Sequence, residues 1–200
     1  RLAALGELTA GIAHEIRTPV SGITGASEIL GRKDISPEVR AEFTAILNQE
    51  AKRLDRVVHG ILNFVRGHRS EVSDVNLRET VQRLLDLLRK EARHADVSLI
   101  NAVPAALRLR TDPLLLEQIA FNLVLNAVQA MPGGGEVRVE AAAEEGRVRL
   151  TVRDNGPGIP PNLRERIFDP FFTTRAGGTG LGLSIARRIA RGMGGDLVLA

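Results

Sequence analysis

The chain has 200 residues, of which 44% are apolar and 26% charged, a composition typical of globular proteins and a length that suits one large domain or two small ones. It contains no cysteine, which excludes disulfide bonds and thiolate zinc sites, and its net charge of +3 comes from dispersed basic residues with few aromatic residues among them. We therefore expect no binding of nucleic acid. Because no apolar run reaches the ~18–20 residues of a membrane span, we also expect no membrane contact from this stretch.

The first 32 residues are predicted to form a helix with one apolar face. Apolar residues recur in steps of three and four, the heptad spacing of a helix packed in a bundle. They are Leu2, Leu5, Ile12, Ile16, Pro19, Ile23, Ala26 and Leu30. His14 falls away from this face, with Thr18 one turn later and Glu15 beside the ring. An exposed imidazole next to a carboxylate suits a nucleophile, although a surface histidine without a role fits the same pattern.

A second helix is predicted after Ser36, because a serine before Pro37 is a typical helix start. Glu50 occupies the one core position of this helix where an apolar residue is expected. The other core positions are Phe43, Leu47, Leu54, Val57, Ile61 and Phe64. Two helices joined by a short turn are too thin to bury both apolar faces, whereas two paired hairpins form a four-helix bundle. We therefore predict a homodimer through residues 1–68.

Residues 69–75 are polar and lack periodicity, so we predict a linker there. Residues 76–200 mix helices and strands without the alternation of a doubly wound fold, which predicts an α/β sandwich with one helical layer over a mixed sheet. The predicted elements are a helix opened by a capping box at residues 76–79, strands at 97–103 and 107–111, a helix from Asp112-Pro113 to Met131, a hairpin of 136–143 and 147–153, a short helix near 163–167, a helix at 181–191 and a final strand at 196–200. Because the chain starts inside a helix and stops inside an apolar run, we expect it to be a piece of a longer protein.

Two asparagines stand four residues apart on the helix predicted after Asp112. Asn122 and Asn126 share one face amid apolar neighbours, and a buried amide is costly unless it is bonded. An amide oxygen is a hard ligand suited to Mg²⁺, which takes its other ligands from phosphates and water. The alternative, an asparagine that merely bonds to neighbouring loops, is more plausible for Asn122 than for Asn126.

A second polar cluster, Asp154-Asn155-Gly156-Pro157-Gly158, follows a predicted strand. By itself this is the sequence of an ordinary turn. A carboxylate held at a strand end can also accept a hydrogen bond from an exocyclic amine, such as that of adenine.

The third cluster runs from Phe168 to Leu183 and leads through closely spaced glycines into a helix start. Unpaired amides and the helix dipole attract anions there, and Arg175 and the neighbouring threonines add donors. Alone this is a weak signal, because the Lys-Ser/Thr ending of a P-loop is absent. The long segment between glycines is typical of a mobile lid.

In this order, the clusters resemble the five sequence boxes of the sensor histidine kinases of two-component systems, especially the nitrogen-regulation and oxygen-sensing branch. His14–Pro19 is similar to the H box and Asn122–Asn126 to the N box. The two glycine boxes and the F box correspond to Asp154–Gly158, Gly178–Leu183 and Phe168–Arg175. The resemblance spans nearly the whole chain.

The resemblance implies a protein-histidine kinase, with residues 1–68 as its dimerisation and phosphotransfer domain and residues 76–200 as an ATP-binding domain related to Hsp90, gyrase and MutL. His14 would be the phosphoacceptor, Glu15 its general base, and Thr18 would position water when the response regulator is dephosphorylated. Asn126 would hold Mg²⁺. The residues implied in ATP binding are Asn122, Asn126, Asp154, Gly156, Gly158, Thr174, Arg175, Gly178, Thr179, Gly180, Leu181 and Gly182. The expected partners are a second copy and a receiver domain, and the expected compartment is the cytoplasm, with a membrane anchor left open for the full-length protein.

Two features depart from the common pattern of that family. Gln129 and Ala130 stand where a basic and an aromatic residue are frequent, and Arg175 stands where lysine is common. Arginine keeps the charge and adds a planar fork, so we retain a γ-phosphate role for it. Two other readings remain open: a degenerate kinase that binds nucleotide as a dimeric scaffold, and a related ATPase or serine-directed kinase. The exposed His14 hairpin favours the histidine kinase over both.

Overall fold

A computed structural model describes residues 2–65, 71–175 and 178–200, and of residues 2–15, 56 and 59–65 it describes the backbone alone. The described residues form two compact units. The first comprises the helical hairpin and the segment Pro170–Leu181, and the second comprises the residues between them and those that follow. None of the described helices is long and apolar enough to cross a membrane.

The hairpin consists of α1 (Leu2–Leu30) and α2 (Pro37–Val65), which pack along each other. Helix α2 begins as predicted, because the Oγ of Ser36 accepts a hydrogen bond from the backbone N of Val39 at 3.3 Å. Predicted core positions Pro19, Ala26 and Val57 are buried. The side chains of the predicted core residues Leu2, Leu5, Ile12, Ile61 and Phe64 lie outside the described part of the chain.

Glu50, the polar residue in the predicted core of α2, is accommodated by a glycine. A Cβ on Gly22 of α1 would lie 2.8 Å from the Cγ of Glu50, so only glycine leaves room for this side chain. The carboxylate is 3.9 Å from a guanidinium nitrogen of Arg53, and the Glu50 side chain is 19% exposed. The position is thus occupied by the aliphatic stem of a glutamate beside a basic residue.

The second unit contains two small sheets. Strands β1 (Ser73–Asn76) and β3 (Arg108–Thr111) pair antiparallel. In the other sheet, β4 (Gly135–Glu144) lies between β2 (Val97–Asn101), with which it is parallel, and β5 (Arg147–Asp154), with which it is antiparallel. The predicted mixed sheet and the predicted hairpin around residue 146 are therefore confirmed.

Four helices belong to this unit: α3 (Leu77–Leu87), α4 (Arg89–His94), α5 (Pro113–Ala130) and α6 (Gly182–Gly192). The apolar faces of α3, α4 and α5 and the strands bury one core, which includes Leu77, Val81, Val103, Val124, Val128, Val137 and Val139. Helix α6 buries Ile185 and Ala186 outside this cluster. The predicted N-cap of α3 is present, since Asn76 Oδ1 accepts from Glu79 N at 3.3 Å. The reciprocal bond differs from a capping box, because Glu79 Oε1 accepts from the side-chain Nδ2 of Asn76, at 3.0 Å, and not from its backbone. The predicted fold class, a helical hairpin followed by helices over a mixed sheet, is confirmed.

Two local predictions in this unit differ from the structure in detail. The end of the predicted linker 69–75 forms part of β1, because residues 73–76 find a partner in β3. The predicted short helix is two single 3-10 turns, Pro161–Leu163 and Arg166–Phe168. Residues 69 and 70 lie outside the described residues, and the predicted domain division at 68 and 76 stays a prediction.

The prediction of a final strand at residues 196–200 is wrong, because these residues form no strand in the structure. Asp196 accepts hydrogen bonds from the Nε of Arg187 and of Arg191, each at 3.1 Å, and from its neighbour Leu197 N at 2.8 Å. These bonds tie residue 196 to α6, and within the described part of the chain residues 195–200 pair with none of the strands β1 to β5. An apolar run needs a paired neighbour to become a strand, and here Val198 remains 72% exposed.

Candidate active site

His14 and Thr18 lie four residues apart on α1, which continues as a helix through Pro19. Successive positions at this spacing share one face of a helix. Thr18 is exposed and Pro19, the next residue, is buried. The side chains of His14 and Glu15 lie outside the described part of the chain, so their predicted roles stay predictions.

Asn122 and Asn126 of α5 meet the first residue of α6. A Cβ on Gly182 would lie 3.4 Å from both Asn122 Oδ1 and Asn126 Nδ2. Both asparagines are half-buried on a helix whose other face contributes Val124 and Ala127 to the core. The absence of a side chain at residue 182 therefore brings two amides against the start of α6, where backbone N–H groups have no partner within the helix.

A helix N-terminus and two side-chain amides, which bind different parts of a metal–phosphate ligand, lie together here. The N-terminus of an eleven-residue helix attracts phosphate through its N–H groups and its dipole. Side-chain amide oxygens bind Mg²⁺, which itself bridges phosphate oxygens. Asn122, Asn126 and Gly182, predicted from separate stretches of sequence, are brought together by the packing of α5 on α6.

Asp154 ends β5, and its Oδ1 accepts a hydrogen bond from Gly156 N at 2.9 Å. The intervening Asn155 turns back to β4, where its Oδ1 accepts from Glu136 N at 2.8 Å. Gly158 has a φ of +71°, in the left-handed region that favours glycine. The turn from 154 to 158 is thus held at its start by two side-chain hydrogen bonds, and the Asp154 carboxylate is exposed.

Met131, which no sequence motif singles out, packs beside the turn that carries Asp154. Met131 caps the C-terminus of α5, is 4% exposed, and lies directly against Gly135 and Gly156. The signal available in the sequence was a methionine before Pro132, followed by three glycines, but nothing local indicates which side chain those glycines make room for.

The segment Pro170–Leu181, which belongs to the first unit, folds back on itself. Thr173 Oγ1 accepts from Arg175 N at 3.1 Å, and Gly178 N donates to the carbonyl of Arg175 at 3.2 Å. Leu181 N donates to Thr179 Oγ1 at 3.5 Å, and Leu181 is buried. The exposed Thr174 lies between Thr173 and Arg175. Residues 176 and 177 lie outside the described part of the chain.

The predicted nucleotide-binding residues are therefore distributed over both units. The second unit holds Asn122, Asn126, Asp154, Gly156, Gly158 and Gly182, and the first holds Thr174, Arg175, Gly178, Thr179, Gly180 and Leu181. Within the second unit, Phe168, at the start of the predicted F box, lies 4.5 Å below the guanidinium of Arg187 of α6. This contact joins Phe168, which precedes the segment Pro170–Leu181, to α6, which follows that segment.

Comparison with known families covers most of the chain. Residues 4–70 match the model of the His Kinase A (phospho-acceptor) domain. Residues 111–200 match the model of the histidine kinase-, DNA gyrase B- and HSP90-like ATPase.

Among curated proteins, the chain is 37% identical over 202 residues to the signal transduction histidine-protein kinase AtoS of Escherichia coli K12, covering 100% of this chain and 33% of AtoS. It is 38% identical over 200 residues to the sensor histidine kinase ZraS of Salmonella typhimurium, covering 98% of this chain and 43% of ZraS. The chain thus spans between a third and a half of the length of these relatives.

Among solved structures, the histidine kinase ThkA in complex with the response regulator protein TrrA superposes with a TM-score of 0.82 at 33% identity, over 98% of this chain and 57% of that one. The catalytic domain of ThkA alone gives a TM-score of 0.56 at 34% identity, over 62% of this chain and 82% of that one.

Proposed function

We propose that this chain, which belongs to the sensor histidine kinases of two-component systems, uses ATP to phosphorylate its own His14 and passes the phosphoryl group to an aspartate of a response regulator. The observation that carries the proposal is the convergence of Asn122 and Asn126 on the first residue of α6. It places the amide groups of both asparagines, with Asn122 presenting Oδ1 and Asn126 presenting Nδ2, beside helix N–H donors, where a nucleotide with a divalent cation would be held.

The nucleotide would be bound at two points of the second unit. Its phosphates would lie at the N-terminus of α6, with Asn126 holding Mg²⁺ and Asn122 beside it. Bound there, the metal would neutralise phosphate charge as it develops during transfer. The adenine amine would donate to the exposed carboxylate of Asp154, with Gly156 and Gly158 giving the turn its shape.

The lid role of the segment 170–181 is part of the same proposal. Thr174, Arg175 and Thr179 supply hydroxyl and guanidinium donors for the terminal phosphate, and Gly178, Gly180 and Leu181 shape the backbone that carries them. Arg175 is half-buried, which limits its range of positions. A planar guanidinium bonds two phosphate oxygens at once.

Transfer to His14 needs in-line geometry and little covalent help from the protein. One ring nitrogen attacks the γ-phosphorus, the bond from that phosphorus to the bridging oxygen of the β-phosphate breaks, and ADP leaves. The proton on the other ring nitrogen then passes to Glu15. The phosphoryl group then moves from this nitrogen to an aspartate oxygen of the receiver domain. Thr18, exposed one turn after His14, would position water for the reverse function, dephosphorylation of that aspartate.

Exposed apolar side chains on the hairpin support the proposed homodimer. Val20 and Val58 remain 42% and 39% exposed in the single hairpin, and a second copy would cover such apolar positions in a four-helix bundle. Sedimentation equilibrium at micromolar concentration tests the homodimer, and a monomer would contradict it.

The experiment that tests the proposed reaction is incubation with γ-labelled ATP and Mg²⁺, followed by acid and base treatment of the labelled protein. Wild type and His14→Gln are compared with His94→Gln, a matched control because His94 is exposed on α4 and its Nδ1 lies 2.8 Å from the backbone carbonyl of Lys90, on the same helix. We expect acid-labile, base-stable label in wild type and in His94→Gln and none in His14→Gln.

Other results would each point to a different function. Acid-stable label would indicate a serine-directed kinase. ATP binding without label would indicate a nucleotide-binding scaffold, and release of phosphate without label would indicate an ATPase. Any of these outcomes would overturn the histidine kinase assignment for this chain.

A further inference from the structure

We propose that Met131 is a positioning residue for the nucleotide base: its side chain sets the place of the turn that carries Asp154 and thereby the preference for adenine over guanine. The inference rests on the proposed function, in which Asp154 binds the adenine amine. It concerns a residue that neither the motifs nor the charge pattern single out.

Two glycines, Gly135 and Gly156, lie unusually close to the side chain of Met131. A Cβ on Gly135 would lie 2.5 Å from its Sδ, and a Cβ on Gly156 would lie 2.9 Å from its Cγ. Real side chains do not approach to such distances, so both positions require glycine for this methionine to fit. The thioether therefore occupies the space between the start of β4 and the turn after β5, and only 4% of the residue is exposed.

The position of the turn is determined by this packing together with two hydrogen bonds. Glu136 N donates to Asn155 Oδ1 at 2.8 Å, which fastens the turn to β4 at one point. Gly156 N donates to Asp154 Oδ1 at 2.9 Å, which orients the carboxylate. Neither bond prevents the turn from moving toward α5, and the side chain of Met131 fills the space into which it would move. An unbranched, polarisable thioether suits such an irregular gap.

The consequence for base recognition follows from hydrogen-bond geometry. Adenine carries an exocyclic amine where guanine carries a carbonyl oxygen, so a carboxylate at the right distance binds the first and repels the second. A hydrogen bond weakens steeply with distance and angle, and discrimination depends on a polar group that is correctly placed. Removing the support beneath the turn should therefore reduce the selectivity for adenine more than it reduces the chemistry at His14.

The test compares Met131→Ala, Met131→Leu and wild type in two measurements: the Kd values for ADP and GDP, and the KM for ATP and kcat of autophosphorylation. We expect Met131→Ala to raise the Kd for ADP and the KM for ATP about tenfold, to narrow the ADP-to-GDP preference by a similar factor and to leave kcat within about twofold. Met131→Leu, which restores most of the buried volume, should recover the preference.

Leu84→Ala serves as the control for a loss of stability alone, because Leu84 is buried in α3 in the core of the same unit. It should lower the melting temperature with an unchanged ADP-to-GDP preference. If Met131→Ala does not fold, Met131→Val, which retains a buried apolar side chain but loses the reach of the thioether, is used in its place. A preference equal to that of wild type in either truncated variant would overturn the inference.

Asp154→Asn separates the failure of this inference from the failure of the proposed function. If Asp154→Asn leaves ADP binding unchanged, the proposed role of Asp154 is wrong. If Asp154→Asn weakens ADP binding and Met131→Ala does not change the preference, only the role of Met131 is wrong. If Met131 acts through the Asp154 carboxylate, the variant that combines Met131→Ala with Asp154→Asn should have the same ADP-to-GDP preference as Asp154→Asn alone.

Discussion

Gly180 packs against the backbone of Phe171 so closely that a Cβ on residue 180 would lie 2.3 Å from the carbonyl carbon of Phe171. Both residues have a left-handed backbone, with φ values of +63° at Gly180 and +65° at Phe171. A left-handed conformation costs a residue with a side chain roughly 1–2 kcal/mol, and Phe171 bears that cost. The pair closes the segment proposed as the lid into a loop whose two ends touch.

Gly180→Ala should therefore disrupt this closure through both a backbone clash and an unfavourable φ. We expect the KM for ATP to rise several-fold and the autophosphorylation rate to fall, with little change in the melting temperature of the second unit. Gly133→Ala is the matched control, because a Cβ there would meet no atom within 4 Å. Autophosphorylation of Gly180→Ala at the rate of wild type would show that the contact with Phe171 has no part in nucleotide binding.

Gly182→Ala should separate nucleotide binding from stability. Alanine is favoured over glycine in a helix by about 1 kcal/mol, so α6 itself should not be weakened. The new methyl group, however, would lie 3.4 Å from the side-chain amides of Asn122 and Asn126 and limit their approach to phosphate and metal. We expect a higher Kd for Mg²⁺-ATP at an unchanged or raised melting temperature. Gly192→Ala, at the other end of α6 with no neighbour within 4 Å, should leave the Kd unchanged.

Asp112 stabilises the start of α5 and holds the backbone of Glu71, near the start of the second unit. Its Oδ1 accepts from Leu114 N at 2.9 Å and from Leu115 N at 3.2 Å, and its Oδ2 accepts from Glu71 N at 2.9 Å. The residue is 2% exposed. Asp112→Ala should lower the free energy of unfolding by about 1–3 kcal/mol, since it removes a helix cap and leaves backbone donors unpaired.

Asp112→Asn should fall between alanine and wild type, because its amide oxygen still caps α5 while its NH₂ group cannot accept from Glu71 N. Glu71→Ala keeps the backbone N–H and should not change the unfolding free energy. Urea titration of the chain at pH 7 measures all three. Equal stabilities of Asp112→Ala and wild type would contradict the assigned hydrogen bonds.

Asp196 predicts a dependence of stability on pH. Its hydrogen bonds to Arg191 and Arg187 hold the pKa of that carboxyl well below its usual range. The stabilising form is the ionised one, so its contribution is complete above the unfolded-state pKa of about 3.9 and is lost as the pH falls toward the lower folded-state pKa. Asp196→Asn should therefore be less stable than wild type at pH 7, by an amount that is constant down to about pH 5 and shrinks below about pH 4.

Unfolding of the two proteins at several pH values measures this difference. The exposed Glu145 in the turn between β4 and β5 provides the control, because Glu145→Gln should show no such difference from wild type. A difference between Asp196→Asn and wild type that stayed constant down to pH 3 would show that the ion pairs with α6 do not stabilise the fold.

Local signals in the sequence predicted much of the second unit. The caps of α3 and α5 were predicted because the capping side chain bonds to an amide only two or three residues away. The hairpin of β4 and β5 was predicted because alternation of apolar residues and a glycine at the turn are properties of one short stretch. By contrast, β1 and the 196–200 run were mispredicted, since forming a strand depends on a partner that is distant in sequence.

By itself the sequence determined the helical hairpin, the mixed sheet under helices and the short list of residues able to bind a nucleotide, because helix periodicity, strand alternation and capping act within a few residues. Only the tertiary structure decided how those residues combine. It brought Asn122 and Asn126 against Gly182, pressed Met131 between Gly135 and Gly156, and closed Phe171 on Gly180. Each of these is a contact between stretches that are separate in the chain, and its distance is set by how helices, strands and turns pack rather than by any property of one stretch.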